Sequence, residues 1–132
     1  MTEADTALSV LRARREFLAA AKADKQVRRG LVLQARTRRH DETSATPIRF
    51  GLTASKKTGN AVARNRIRRR LRALAQDVLP RCGQSGYDYV LIGRVHTRLR
   101  DWAALKKDLV SALRAIHQES KSTQSDNQTV AQ

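Results

Sequence analysis

From Lys56 to Arg72 the chain carries eight basic side chains in seventeen residues and no Asp or Glu, while the apolar residues between them keep helical time. Taking 100° per residue, Ala63, Ile67, Leu71, Leu74 and Val78 fall within about 40° of one line, the spacing of a helix laid on a core. Arg64, Arg68, Arg72, Asn65 and Arg69 then fan across one side of the solvent face, and Arg66 and Arg70 emerge on the other flank. A helix with a guanidinium surface and no acidic neighbours one turn away repels itself unless a polyanion neutralises it. The local pattern therefore asks for a packed helix with a polyphosphate partner.

The rest of the composition agrees. The formal net charge is +15 over 132 residues, an excess usually spent on nucleic acid or an anionic membrane. The chain length suits one domain with a modest core. No apolar run approaches the roughly 20 residues of a membrane span, and the amino terminus does not resemble a signal peptide. A basic helix resting on a membrane would bury Trp, Phe or Leu; this one offers Ala, Ile, Leu and Val, which is core chemistry. No membrane partner is expected, and the cytoplasm is the expected address. Cys82 is the single cysteine, so no intrachain disulfide or thiolate zinc site is possible. His40, His96 and His117 have no ligand spacing, so no metal site made of protein groups alone is expected.

Along the chain, residues 1–10 read as a flexible amino terminus, 11–118 as a single nucleic-acid-binding domain and 119–132 as a disordered polar tail. A helix is predicted over Leu11–Ala23. A strand buried on both faces or nearly so is predicted over Gly30–Ala35, with a polar loop over Arg36–Thr46. Pro47 opens a second strand over Ile48–Ala54, and Tyr87–Gly93 is a third. Asn60 and Asp101 are the expected N-caps of the arginine helix, which should end at Pro80, and of a last helix carrying Trp102, Leu105, Leu109, Leu113 and Ile116. This order, α-β-β-α-β-α, implies an α+β fold built as a small α/β sandwich.

Several chemistries are excluded. A Walker A loop needs Gly directly before its Lys, whereas Ser55 precedes Lys56 and Lys56 precedes Lys57. A self-contained nuclease needs clustered carboxylates or a His pair, and the acidic residues are scattered apart from Asp41-Glu42. A major-groove DNA reader is not excluded but is disfavoured: it predicts base-reading side chains among its phosphate contacts, and nearly every exposed position here is Arg, which gives affinity and little selection, so partner identity would separate it. A basic ribosomal or ribosome-assembly protein shares the charge and the fold class, and stays open on these grounds. Asn65 is the less expected residue of the run: its amide suits a base edge, a 2′-hydroxyl or a metal-bound water, or plain solvation.

The block from Arg49 to Arg69, RFGLTASKKTGNAVARNRIRR, resembles the protein subunit of bacterial ribonuclease P, whose pattern is an R-x-G-L-x-x-x-K-K strand and turn leading into an R-N-R helix. Phe17, Asp88-Tyr89-Val90 and Arg94 also fall where that family expects them, so the likeness runs from about Leu11 to Ile116. The resemblance implies a ribosomal protein S5 domain 2-like fold: a central, mostly antiparallel sheet, about three helices and a left-handed βαβ crossover. It implies an accessory subunit of an endoribonuclease that removes the 5′ leader of precursor tRNA, with ribonuclease P RNA and precursor tRNA as partners and no stable protein partner. The catalytic centre and its Mg²⁺ are then expected in the RNA, with no catalytic residue in this chain. By position, Lys56, Lys57, Asn60, Arg64, Asn65, Arg66, Arg68, Arg69 and Arg72 should meet the catalytic RNA. Arg14, Phe17, Arg29, Leu31, Leu33, Gln34 and Arg36 should line the cleft for the single-stranded leader. Ala21, Leu31 and Gln34 stand where many members carry further aromatics, and Val10 where an arginine is often found. Leader grip is therefore expected to lean on Arg12, Arg14, Arg28, Arg29 and Arg36.

Overall fold

The computed structural model describes residues 8–11, 14–37, 48–84 and 86–131, with the side chains of residue 9 and of residues 119–131 left aside. The element order is β1 (Leu8–Val10), α1 (Arg14–Ala21), β2 (Asp24–Val27), β3 (Leu31–Thr37), β4 (Ile48–Thr53), a 3₁₀ turn (Lys56–Thr58), α2 (Ala61–Cys82), β5 (Tyr87–Gly93), a second 3₁₀ turn (Val95–Arg98) and α3 (Trp102–Ala131). The strands form one mixed sheet in the order β1-β4-β5-β3-β2. β4 runs parallel to both β1 and β5, and the longest ladder is the antiparallel pairing of β3 with β5 from Leu31↔Gly93 to Thr37↔Tyr87. Since β4 and β5 are parallel neighbours, α2 is the crossover between them.

One sheet face carries the main core. Leu31, Leu33 and Ala35 of β3, Ile48 and Phe50 of β4, and Tyr89 and Leu91 of β5 pack against Ile67, Leu71 and Leu74 of α2 and Leu105, Leu109 and Leu113 of α3. The apolar line read from α2 is this face: Ile67, Leu71 and Leu74 are wholly buried, and Ala63 and Val78 nearly so. Burying each large aliphatic side chain stabilises the fold by about 1.5–3 kcal/mol, which outweighs the repulsion on the helix's other side. At the core's end the Tyr89 hydroxyl accepts from the Gln84 N–H at 2.9 Å and pairs with His117 Nε2 at 2.8 Å, tying β5 to α3. Burial pushes the Tyr89 phenol well above its ordinary pKa, so it stays protonated.

Both expected N-caps are in place: the Ala63 N–H donates to Asn60 Oδ1 at 2.9 Å and the Ala104 N–H to Asp101 Oδ2 at 3.4 Å. Other expectations change. Residues 8–10, taken as part of a flexible terminus, form β1, because a three-residue edge strand takes its hydrogen bonds from β4 and needs no pattern of its own. Leu11, expected in the first helix, instead extends that edge, its N–H donating to the Phe50 carbonyl at 2.8 Å. β2 went unforeseen because Asp-Lys-Gln-Val has little strand character. Arg36 and Thr37 belong to β3, not to the following loop; His40–Thr46 and Pro47 lie outside the described residues. Pro80 sits inside the last turn of α2, where a missing N–H removes one bond close to the end of the ladder, and the Gly83 N–H closes the turn on the Leu79 carbonyl at 2.8 Å. α3 continues through 119–131 in place of the expected disordered tail; that segment has no Gly or Pro, and extending a formed helix is far easier than starting one.

Candidate nucleic-acid interface

The Lys-Lys-Thr-Gly-Asn turn delivers two lysines to the start of α2. Thr58 folds it, its hydroxyl donating to the Ser55 carbonyl at 2.6 Å and its N–H to the same oxygen at 3.0 Å. Gly59 lies at φ 139°, ψ −170°, a region essentially closed to side chains, and a Cβ there would come within 2.8 Å of the Ala63 Cβ. Asn60 then caps the helix. Exposed Lys56 and Lys57 thus stand beside the partial positive charge of the α2 amino terminus. Gly59→Ala should lower stability by about 1–3 kcal/mol in urea unfolding. A cost near zero would mean the turn adopts another conformation easily.

The arginines of α2 divide by what they touch. Arg66, Arg69 and Arg72 are exposed and their side chains have no partner among the described residues. Arg68 donates to Asn65 Oδ1 at a long 3.3 Å, the nearest Asn65 comes to a protein role. Arg64 is half-buried, its Nε closed off from solvent without a hydrogen-bond partner. Arg70 differs: its Nη1 donates to the carbonyls of Thr97 (2.7 Å) and Arg98 (3.0 Å), so it fastens the second 3₁₀ turn to α2. The first acidic side chain on the helix is Asp77, held below the ordinary carboxylate range by its bond to Lys106 and the charge of Arg81. Sixteen residues of helix before it carry no internal counter-charge.

The opposite sheet face is only partly covered. α1 crosses it, with Phe17 packed beside Leu11, Ala20, Val90 and Ile92. Gly51 makes that approach possible, since a Cβ there would fall 2.4 Å from the Phe17 ring. An ion network pins the helix: buried Asp88 takes Arg49 at 2.8 and 2.7 Å and Arg36 at 3.4 Å, and Arg49 Nη1 donates to Glu16 of α1 at 2.9 Å. By alternation Val32, Gln34 and Arg36 of β3 share this face with Asp88, Val90 and Ile92 of β5, all three β3 residues half-buried. Next to α1, a cleft lined by Ala19, Lys22, Ala23, Asp24, Ala35, Arg36 and Thr37 opens at the end of β3.

The expected RNA-facing residues thus fall on one continuous stretch, the turn and the outer face of α2. The expected cleft needs correction. Phe17, Gln34 and Arg36 meet on the α1 face, and Arg14 and Arg29 are exposed. Leu31 and Leu33 are fully buried on the other face, under α2 and α3, and cannot line it. The strand is not buried on both sides; it alternates, and Val32 is the residue that replaces them. Arg28 is turned to α3, where its Nε donates to Ser111 Oγ at 2.8 Å. Arg12 lies outside the described residues. Sequence reasoning missed the structural parts of Arg49, Asp88 and Arg70, and the only signal was that Arg49 and Asp88 sit in strands where a charge must have a partner.

Among the described residues no group of three or more His, Cys, Asp or Glu lies together to hold a metal, and no helix is long and apolar enough to cross a membrane.

Residues 7–117 match the family model described as Ribonuclease P. A curated relative from Ruegeria pomeroyi, "Ribonuclease P protein component", is 51% identical over 115 residues, spanning 86% of this chain and 90% of that one. A protein of the same description from Paramagnetospirillum magneticum is 43% identical over 110 residues, 83% of each chain. Among solved structures, the Staphylococcus aureus RNase P protein superposes with a TM-score of 0.64 at 22% identity, over 81% of this chain and 94% of that one. The Thermotoga maritima RNase P protein gives 0.62 at 23% identity, over 78% and 93%. At such identities the structures speak for the fold alone.

Proposed function

Because this chain belongs to the ribonuclease P protein family, we propose that its arginine helix docks on the catalytic RNA while its half-open sheet face takes the 5′ leader of precursor tRNA. The chain is the protein subunit of a tRNA-processing endoribonuclease, and ribonuclease P RNA is its partner. What carries the fuller reading is the division of charge on α2: Arg66, Arg69 and Arg72 stand exposed and without a partner among the described residues, in one stretch with Lys56 and Lys57. Guanidinium groups match phosphate oxygens in paired geometry and stay charged at every accessible pH. By neutralising crowded phosphates they lessen the RNA's need for other cations, and the cleavage chemistry with its Mg²⁺ is assigned to the RNA. The work takes place in the cytoplasm, on newly made precursor tRNA.

On the other face, Phe17, Val32 and Ile92 give apolar surface, and Gln34, Arg36 and the exposed Arg14 give polar and charged groups. Phe17 is half-buried against Gly51, so its ring serves both packing and contact. Phe17→Ala should weaken binding of precursor tRNA, but not mature tRNA, by roughly fivefold, the low end of aromatic stacking on a base. It should also lower stability, while affinity for the RNA subunit holds. Equal losses for precursor and mature tRNA would make Phe17 a packing residue only.

The deciding experiment is reconstitution: purified protein, the ribonuclease P RNA of the same organism and a precursor tRNA at low Mg²⁺, following leader release. The expected result is a large gain over RNA alone, with protein alone inactive. Tight RNA binding with no gain would overturn the reading.

A further inference from the structure

Three exposed apolar side chains fall within eight residues after β5: Val95 at 64% exposure, Leu99 at 80% and Trp102 at 38%. They border α2. Arg70, already bonded to the Thr97 and Arg98 carbonyls, lies over the Trp102 ring with its guanidinium 5.6 Å from the ring centre, which holds the indole in place. One helical turn before Arg70 stands exposed Arg66, with no partner among the described residues, and Arg98 is exposed on the 3₁₀ turn itself. Asp101, the acidic residue within this segment, turns its carboxylate to the N–H of Ala104.

The surface is therefore an exposed indole and an exposed leucine bordered by guanidinium groups. A second copy is a poor occupant, because self-pairing would bring Arg66, Arg70 and Arg98 against their own likeness. A flat apolar ring attached to a phosphate satisfies both halves, and the patch continues from the helix that faces RNA. We propose that Trp102, flanked by Leu99, stacks an unpaired nucleobase of the RNA subunit, with Arg66 and Arg98 on the adjoining phosphates; this rests on the docking of α2 on that RNA.

Trp102 is the sole tryptophan, so its emission, excited where tyrosine does not absorb, reports this one site. Titrating the full chain with ribonuclease P RNA should quench that emission. Trp102→Leu keeps an apolar, helix-compatible residue but removes the ring, and should raise Kd about 5- to 100-fold. Trp102→Phe should recover most of the loss, and Leu99→Ser, at an exposed position that cannot unfold the chain, should weaken binding more modestly. Thermal melts of each variant separate folding from binding. Wild-type protein that binds and stimulates leader release, with emission unmoved or with Trp102→Leu binding like wild type, overturns the stacking proposal and leaves the docking of α2 intact. Equal loss in Trp102→Phe and Trp102→Leu overturns it too. Emission that changes with protein concentration in the absence of RNA assigns the patch to a second copy. If the wild type fails to bind the RNA at all, the failure belongs to the functional reading beneath.

Discussion

Asp88→Ala should cost the free protein about 3 kcal/mol in urea unfolding, the low end for removing one partner of a buried pair. Against a typical domain stability of about 5–15 kcal/mol this removes roughly a fifth to more than half of the total. Asp88 is wholly buried and, among the described residues, accepts two guanidinium N–H groups from Arg49 and one from Arg36. Its loss takes from both arginines the carboxylate that balances them in a partly dry site. The low end applies because Arg36 and Arg49 keep 19% and 18% of their side-chain surface exposed and can turn toward water, and because Arg49 retains Glu16. Asp77→Ala is the matched control. Its pairs with Arg81 and Lys106 lie at the surface, and such pairs contribute roughly 0–1 kcal/mol each. Equal costs for the two variants would show that burial adds nothing to the Asp88 network. The damage should spread to the cleft, because Arg49 is the link between Asp88 and α1.

The joint replacement of Arg66, Arg69 and Arg72 by Ala should do the opposite: leave folding intact and lower affinity for the RNA about a hundredfold at physiological salt. Each phosphate contact adds roughly 0.7–0.9 to the slope of log K against log salt, so the slope should flatten by about 2–3. These side chains have no partner among the described residues, so the melting temperature should stay put or rise as mutual repulsion falls. Arg70→Ala supplies the contrast. It should lower stability, since it frees the 3₁₀ turn, and should hardly change the salt slope. If Arg70→Ala flattened the slope as steeply as its neighbours, the division of labour on α2 would be wrong. Binding isotherms at four or five salt concentrations decide the matter.

The helix α2 could be read from sequence because its two faces differ in kind: aliphatic at one angle, mostly guanidinium on the rest of its first half, with Asn60 marking the start. β5 was readable for a similar reason, as an unbroken apolar run between turn residues. β3 was misread because Val32, an apolar residue, stands among the half-open positions and hides the alternation of Leu31, Leu33 and Ala35 with Gln34 and Arg36. β1 and β2 left no trace, since their order comes from β4 and β3 and not from their own side chains. The same limit applied at the site. Arg66 and Arg70 look alike on a helical wheel, and only the packing of the turn at Val95–Arg98 separates one that faces outward from one that binds protein carbonyls. Arg49 was visible as part of a pattern, but its tie to Asp88 joins residues 39 apart in sequence.

The strand order has a consequence for the time before assembly. A subunit whose charge is balanced only on RNA must survive alone after synthesis, with open strand edges that invite fibre-like pairing. Here the two outer strands are β1, three residues long, and β2, four residues with Asp24 and Lys25 exposed upon it. Neither edge is long or apolar enough to template a neighbour, and the +15 charge keeps copies apart. The surplus of arginine and lysine that recruits RNA also serves as the chain's protection against itself while it waits.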